Sequence, residues 1–256
     1  MNQIALFKEK LKKSHTLGMF MKSTDPSFVE VAGFSGFDFV ILDLEHGYSS
    51  YETLTNLVRA SIVSNTIPIV RISEISEDYI KKVLDLGAYG LQVPKVTSKK
   101  DVEKIIELSK FYPLGERGLC RFVRGSNFTQ LNKNEYITQA NQNLIIIQLE
   151  GKKAVENIDE ILEVGNVDVI FIGPYDLSQS LGVPGDIFNE KVISEMKKII
   201  QKCQEKDIIV GTFVDNEKGF KMWREVGVQY LAYSVDVGLF AEKCREITLK
   251  YKNDTN

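Results

Sequence analysis

Eight short apolar runs, each followed by a stretch of helical period, constrain this chain more than any other feature. The runs are Thr16 to Met21, Phe37 to Asp43, Ile67 to Ile72, Tyr89 to Pro94, Asn143 to Glu150, Val167 to Ile172, Asp207 to Phe213 and Gln229 to Ser234. Between them the apolar spacing predicts helices at about 25–35, 51–64, 76–86, 98–110, 151–164, 190–206 and 216–226, with a last one from Asp236. Alternation of this kind is the pattern of βα units around a parallel sheet, and eight strands are what a closed parallel barrel requires. A length of 256 residues suits one such barrel, and no linker rich in Pro, Ser or Gly divides it. The expected fold is therefore α/β, a single-domain (β/α)8 barrel over residues 1–256. A doubly wound open sheet is the alternative, but no Gly-x-Gly-x-x-Gly turn follows the first strand to give it a nucleotide site.

Composition narrows the function classes. The residues AVILMFWYC make up 43% and DEKR 26%, as in an ordinary globular protein, and no apolar window reaches a membrane-spanning length. Met1 to Ser14 places lysines among Ile4, Phe7 and Leu11 and has no apolar signal region, so a cytoplasmic location is expected. Cys120, Cys203 and Cys244 are too few and too scattered for a disulfide framework. A net charge of −3 gives no electrostatic case for nucleic acid.

In a barrel the C-terminal strand ends meet at one mouth, so the polar residues that finish the runs are the candidates for chemistry. The second run ends Asp43-Leu44-Glu45-His46-Gly47, the third in Arg71, the fifth in Gln148-Leu149-Glu150, and the sixth enters Gly173-Pro174-Tyr175-Asp176. His46, one of two histidines, reads as a general acid or base, or else as a loop residue with a satisfied ring. Glu150 and Asp176 would repel each other in one cavity unless a cation lay between them, and such hard oxygen ligands suit Mg2+ or Mn2+; alternatively each caps its following helix. Arg71 needs an anionic partner, which a substrate carboxylate, an enolate oxygen or a neighbouring carboxylate would supply. Asp43 either holds His46 or Arg71 or caps its loop. The Gly173 to Asp176 turn could cradle a carboxylate. The irregular stretch from Tyr112 to about Lys133 carries Arg117, Arg121 and Arg124, either as a solvated patch or as a lid over a polyanionic substrate. Cys120 has no histidine near it in sequence and is expected to be inert.

Taken together these strand ends resemble the HpcH/HpaI aldolase family of class II pyruvate aldolases, within the pyruvate/phosphoenolpyruvate barrel superfamily. Six ordered motifs carry the resemblance over nearly the whole chain: Phe37 to His46, Pro68 to Arg71, Leu84 to Ala88, Tyr112 to Gly118, Gln148 to Glu150 and Phe171 to Ser178. The resemblance implies a divalent metal on Glu150 and Asp176 with Gln148 close by, and His46 assisted by Asp43 as acid/base. It also implies Arg71 stabilising a pyruvate enolate and the Gly173, Pro174, Tyr175 turn receiving the carboxylate. A homo-oligomer, dimer or hexamer, with its last helix exchanged, is implied as well. Tyr175, where the aldolases usually have a small residue, Lys95 after Val93-Pro94, and the added Arg121 and Arg124 are departures. They are similar to a siderophore-associated branch that joins oxaloacetate to acetyl-CoA without metal. The expected activity is thus reversible aldol cleavage of a 4-hydroxy-2-oxo acid. The alternatives are that citrate-synthase-like condensation, with no metal cofactor, or a non-catalytic protein that binds a 2-oxo acid.

Overall fold

In the computed structural model, which describes residues 3–252, a helix α1 (Gln3–Lys13) precedes eight strands. These are β1 (Thr16–Met21), β2 (Phe39–Asp43), β3 (Ile67–Arg71), β4 (Gly90–Val93), β5 (Leu144–Leu149), β6 (Val169–Ile172), β7 (Ile209–Val214) and β8 (Tyr230–Val235). All neighbours pair in parallel and in chain order, and β8 returns to β1, so the sheet closes into the expected barrel. Around it run α2 (Pro26–Phe34), α3 (Tyr51–Val63), α4 (Glu77–Asp85), α5 (Lys99–Ser109), α6 (Lys133–Ala140), α7 (Lys152–Glu156), α8 (Ile158–Ile161), α9 (Pro174–Ser180), α10 (Glu190–Glu205), α11 (Glu217–Glu225) and α12 (Asp236–Lys252).

Two helical segments differ from the expected pattern. The single helix expected over 151–164 is broken at Asn157, whose side-chain amide donates to the Thr97 carbonyl at 2.8 Å and draws the chain toward the β4 side. Helix α6, by contrast, was not expected at all. It starts on a reciprocal cap in which Asn132 accepts the Glu135 N–H while the Glu135 carboxylate accepts the Asn132 N–H.

Side-chain alternation along the strands sorts the apolar residues into two cores. Val40, Leu42, Val70, Ile145, Ile147 and Ile170 point outward and pack with the helices. Phe39, Ile41, Ile67, Ile69, Leu144, Ile146 and Phe171 point inward, and α1 closes the N-terminal end beneath them with Ile4, Phe7 and Leu11. Each fully buried side chain of this size contributes about 1.5–3 kcal/mol. The interior is tight: a Cβ at Gly18 would lie 2.1 Å from the Phe39 ring, which stacks on Tyr230 at 3.9 Å.

The same alternation places the polar layer. Two residues beyond Ile41 on the inward face is Asp43, two beyond Ile69 is Arg71, and two beyond Ile146 is Gln148. Register then aligns Asp43 with Arg71 across β2 and β3, and Arg71 with Gln92 across β3 and β4. An apolar barrel thus ends in a polar ring at its C-terminal mouth.

Candidate functional site

Arg71 is the centre of that ring. Its Nε donates to Asp43 Oδ1 at 2.9 Å and its second terminal nitrogen to Asp43 Oδ2 at 2.8 Å, a bidentate pair. The other terminal nitrogen lies 3.0 Å from Glu45 Oε2, and the guanidinium stands 4.7 Å over the Phe20 ring. Asp43 also accepts the backbone N–H of Glu45 at 3.0 Å and of His46 at 3.3 Å. Burial pushes the Asp43 carboxyl up, but Arg71 and these two N–H groups outweigh it and hold the group below the usual carboxylate range.

Glu45 was read only as part of the strand-end motif, yet it links most of the site. Its side chain is nearly buried, touches Arg71, and lies 2.9 Å from the Lys95 ammonium. The signal was present in sequence, since Glu45 falls two residues beyond Asp43. What hid it was that a carboxylate beyond a strand end ordinarily faces solvent. Lys95 itself has φ of +58°, an uncommon backbone state that turns its N–H onto Glu150 Oε1 at 2.8 Å. Hydrogen bonding to Glu45, and then the charges of Glu45, Glu150 and Asp176, raise the Lys95 ammonium above its ordinary value despite some burial.

Glu150 accepts a second hydrogen bond from the Gln148 amide, whose oxygen in turn accepts from Gln92 at 2.7 Å. Gln92, at the centre of β4, is a further site residue that its apolar surroundings in sequence concealed. Burial raises the Glu150 carboxyl above its normal value, and the negative charges of Glu45 and Asp176 add to the effect. The bonds from Gln148 and Lys95 oppose them.

A cavity of about 300 Å3 opens on this layer, lined among others by Lys22, His46, Arg71, Gln148, Gly173 and Asp176. His46 is exposed, and its Nε2 lies 4.0 Å from Glu45 Oε2. Asp43 holds the His46 backbone N–H, and no bond joins its carboxylate to the His46 ring among the described residues. Gly173 leads into α9, where a Cβ would crowd Glu150 at 3.1 Å. Pro174 is buried, Tyr175 and Asp176 are exposed, and the Tyr175 hydroxyl donates to Asp215, a mouth residue at the end of β7 not anticipated from sequence.

The loop arginines are not at this mouth within the chain. The 112–132 stretch joins α5 to α6 within the connection from α5 to β5 and lies at the N-terminal end of the barrel, beside Gly87, Tyr89 and Asn143. There Arg117 pairs with Asp85 at 2.7 Å, Arg121 reaches only the Leu131 carbonyl at 3.5 Å, and Arg124 lies against Gly87. Helix-to-strand connections occupy the face opposite the strand C-termini, so of the two readings of this loop the lid is not met at the mouth of its own chain. Cys120 is a half-buried free thiol in the same loop.

Among the described residues no group of three or more His, Cys, Asp or Glu side chains gathers as a metal site. The residues present nevertheless fit a hard divalent cation. Asp176 lines the cavity and its charge reaches Glu150 just behind Gln148, each Glu150 oxygen keeps lone-pair capacity, and Mg2+ is commonly held by one or two carboxylates with the remainder from substrate and water.

A polar ring at the C-terminal strand ends of a (β/α)8 barrel lies where enzymes of this fold carry their active sites. Residues 16–242 match the family described as HpcH/HpaI aldolase/citrate lyase, and the chain belongs to that family. It is 32% identical over 239 residues to the 2-keto-3-deoxy-L-rhamnonate aldolase of Salmonella gallinarum, covering 92% of this chain and 89% of that one. Among solved structures it is similar to the HpcH/HpaI aldolase of Desulfitobacterium hafniense, with a TM-score of 0.87 at 30% identity over 94% and 96% of the two chains. It is also similar to the citrate synthase SbnG, with a TM-score of 0.86 at 32% identity over 96% and 98%. The aldolases and that citrate synthase are related branches, and this chain is an enzyme of the family they share. No helix among the described residues is long and apolar enough to cross a membrane.

Proposed function

We propose that the protein is a carbon–carbon lyase that reversibly cleaves a 4-hydroxy-2-oxo acid to pyruvate and an aldehyde. The observation that carries this reading is Arg71, locked by Asp43 and Glu45 with its remaining donors free for a ligand in the mouth. Of five guanidinium N–H groups, three are engaged, which leaves one on each terminal nitrogen for an oxygen in the cavity. The substrate carboxylate lies in the turn from Gly173 to Asp176, with Gln148 beside the 2-oxo group.

His46 takes the proton of the C4 hydroxyl, directly or through one water. The C3–C4 bond breaks, its electron pair passes toward the C2 oxygen, and the aldehyde departs. Arg71 donates to the oxygen on which charge develops, and a proton returned to C3 completes pyruvate. Mg2+ or Mn2+, when bound by Glu150 and Asp176, supplies Lewis-acid stabilisation of that same charge. Glu45 keeps Arg71 and Lys95 in place, and Asp43 acts as a positioning residue.

A second reading, condensation of oxaloacetate with acetyl-CoA, is favoured by two cations. Lys95 stands beside the carboxylates that would otherwise need a metal, and Lys22 lines the cavity without a carboxylate partner among the described residues. Purified, chelator-treated protein decides between them. Metal-dependent pyruvate release from a 2-keto-3-deoxy sugar acid supports the lyase, and metal-independent thiol release from acetyl-CoA with oxaloacetate supports the condensing enzyme.

We further propose a homo-oligomer joined through α12. Phe240, Leu249 and Tyr251 on that helix are exposed, and Phe28 and Phe34 on α2 extend the apolar area. A hydrodynamic mass of one chain would remove this proposal.

A further inference from the structure

Two of the loop arginines that do not reach the mouth, Arg117 and Arg124, line a second cavity of about 130 Å3 at the other end of the barrel. Its walls include Gly87, Arg117, Arg124, Tyr136, Gln139 and Asn143, and none of its lining residues is acidic. Arg117 is buried, its side chain only 1% exposed, and one terminal nitrogen satisfies Asp85 at 2.7 Å and meets the Tyr136 hydroxyl at 3.4 Å. Its Nε and other terminal nitrogen are buried without a partner, and so is Nε of Arg124. Arg124 has no ion pair among the described residues. Its side chain crosses Gly87 so closely that a Cβ there would meet Arg124 at 3.3 Å. Burial and then the charge of Arg59 push the Arg124 guanidinium below its ordinary value, although Arg stays charged under all ordinary conditions.

Arg117 thus has one carboxylate and the half-buried Arg124 has none, and three guanidinium nitrogens are left unanswered. Buried cations of this kind require an anion, and a planar fork of donors matches the oxygens of a phosphate or carboxylate. The cavity is small enough for one compact ligand. Asn127 and Gln139 at its edge are exposed, which gives an entry from solvent.

We propose that this cavity is a binding site for a small oxyanion, a phosphate or a compact carboxylate, separate from the mouth. Arg117 and Arg124 hold the ligand from two sides, and Tyr136 and Gln139 complete its hydrogen bonding. The ligand ties the loop after α5 to the N-terminal ends of β4 and β5, so occupancy stabilises the fold without entering the reaction.

The test is calorimetric titration and thermal unfolding of the intact protein with inorganic phosphate, and separately with pyruvate, at constant ionic strength set by chloride. One phosphate per chain and a rise in melting temperature with its concentration are expected. Arg124→Gln weakens phosphate at least about tenfold and leaves the melting temperature in chloride unchanged or higher, because it removes an unpaired cation. Gln139→Glu, on the exposed edge of α6, weakens it by repulsion and does not depend on Arg124→Gln folding. If pyruvate binds more tightly than phosphate and is lost in the same variants, the ligand is a carboxylate. Phosphate and pyruvate both failing to saturate below about 10 mM, or binding the variants as they bind the parent, overturns the proposal. The second result locates the ion at the mouth, which neither change touches.

Discussion

Arg71 and Asp43 face each other in register across β3 and β2 and are joined by two hydrogen bonds of 2.9 and 2.8 Å. The pair converts two strand ends into one fixed element, and Glu45 extends it toward Lys95. Removing one partner of such a buried pair leaves the other without compensation.

Asp43→Ala is therefore expected to lower stability by about 3–5 kcal/mol in chemical denaturation, and turnover by a larger factor than the loss of folded protein explains. The pH dependence has a definite sign. The folded carboxyl lies below its unfolded value of about 3.9, so the unfolded chain takes up a proton first. The contribution of Asp43 is complete above that unfolded value and disappears as pH falls through the folded one. In Asp43→Asn this acid-side loss should be absent. An unchanged acid slope contradicts the pairing.

Glu150→Gln should abolish turnover while stabilising the metal-free protein at neutral pH. The folded Glu150 carboxyl lies above the unfolded value of about 4.3, so the folded state loses stability as pH rises through the folded value. The amide also has a satisfied arrangement available. Its oxygen accepts the Lys95 N–H, and its nitrogen donates to the oxygen of a flipped Gln148, whose nitrogen then donates to the oxygen of a Gln92 that has flipped with it. Melting temperatures in chelator at pH 4 and pH 8 check this: the advantage of the variant must grow with pH.

Lys95→Ala should tighten Mg2+ in a metal titration of turnover by roughly two- to tenfold at low salt, since it removes a cation whose charge reaches Glu150 and Asp176. Added salt should narrow the gap. Equal half-saturation in the two proteins at low ionic strength would separate Lys95 from the metal site.

Tyr175 stays protonated, its hydroxyl pushed up to about 12 by burial and by Asp215, so it is a fixed donor at all working pH values. Tyr175→Ala enlarges the cavity that Tyr175 lines. It should raise kcat/KM for bulkier aldehydes and leave deuterium exchange at the pyruvate methyl group unchanged. Loss of exchange would mean that Tyr175 takes part in enolisation.

Much of this protein was legible along the chain. Alternation of strand and helix periods gave the barrel, because burial on both faces of a parallel strand writes a short apolar run that no surface segment imitates. Asp43, Arg71, Gln148 and Glu150 were legible as the polar ends of such runs. Gln92 and Asp215 were not, because each owes its place to register or to a partner far away in sequence; Glu45 stood in a strand-end motif, but its burial between Arg71 and Lys95 was not legible.

The loop arginines mark the limit most clearly. Arg117, Arg121 and Arg124 together looked like a lid for an anion, and charge composition alone carries no information about which end of the barrel a loop occupies. Only tertiary structure decided that, by placing the connection from α5 to β5 beneath the barrel, where Arg117 meets Asp85. Sequence periodicity by itself determined where the strands run and, to within a residue or two, where they stop. Closure of the sheet determined which of those ends meet, because hydrogen-bond register between strands joins residues that the chain separates by tens of positions.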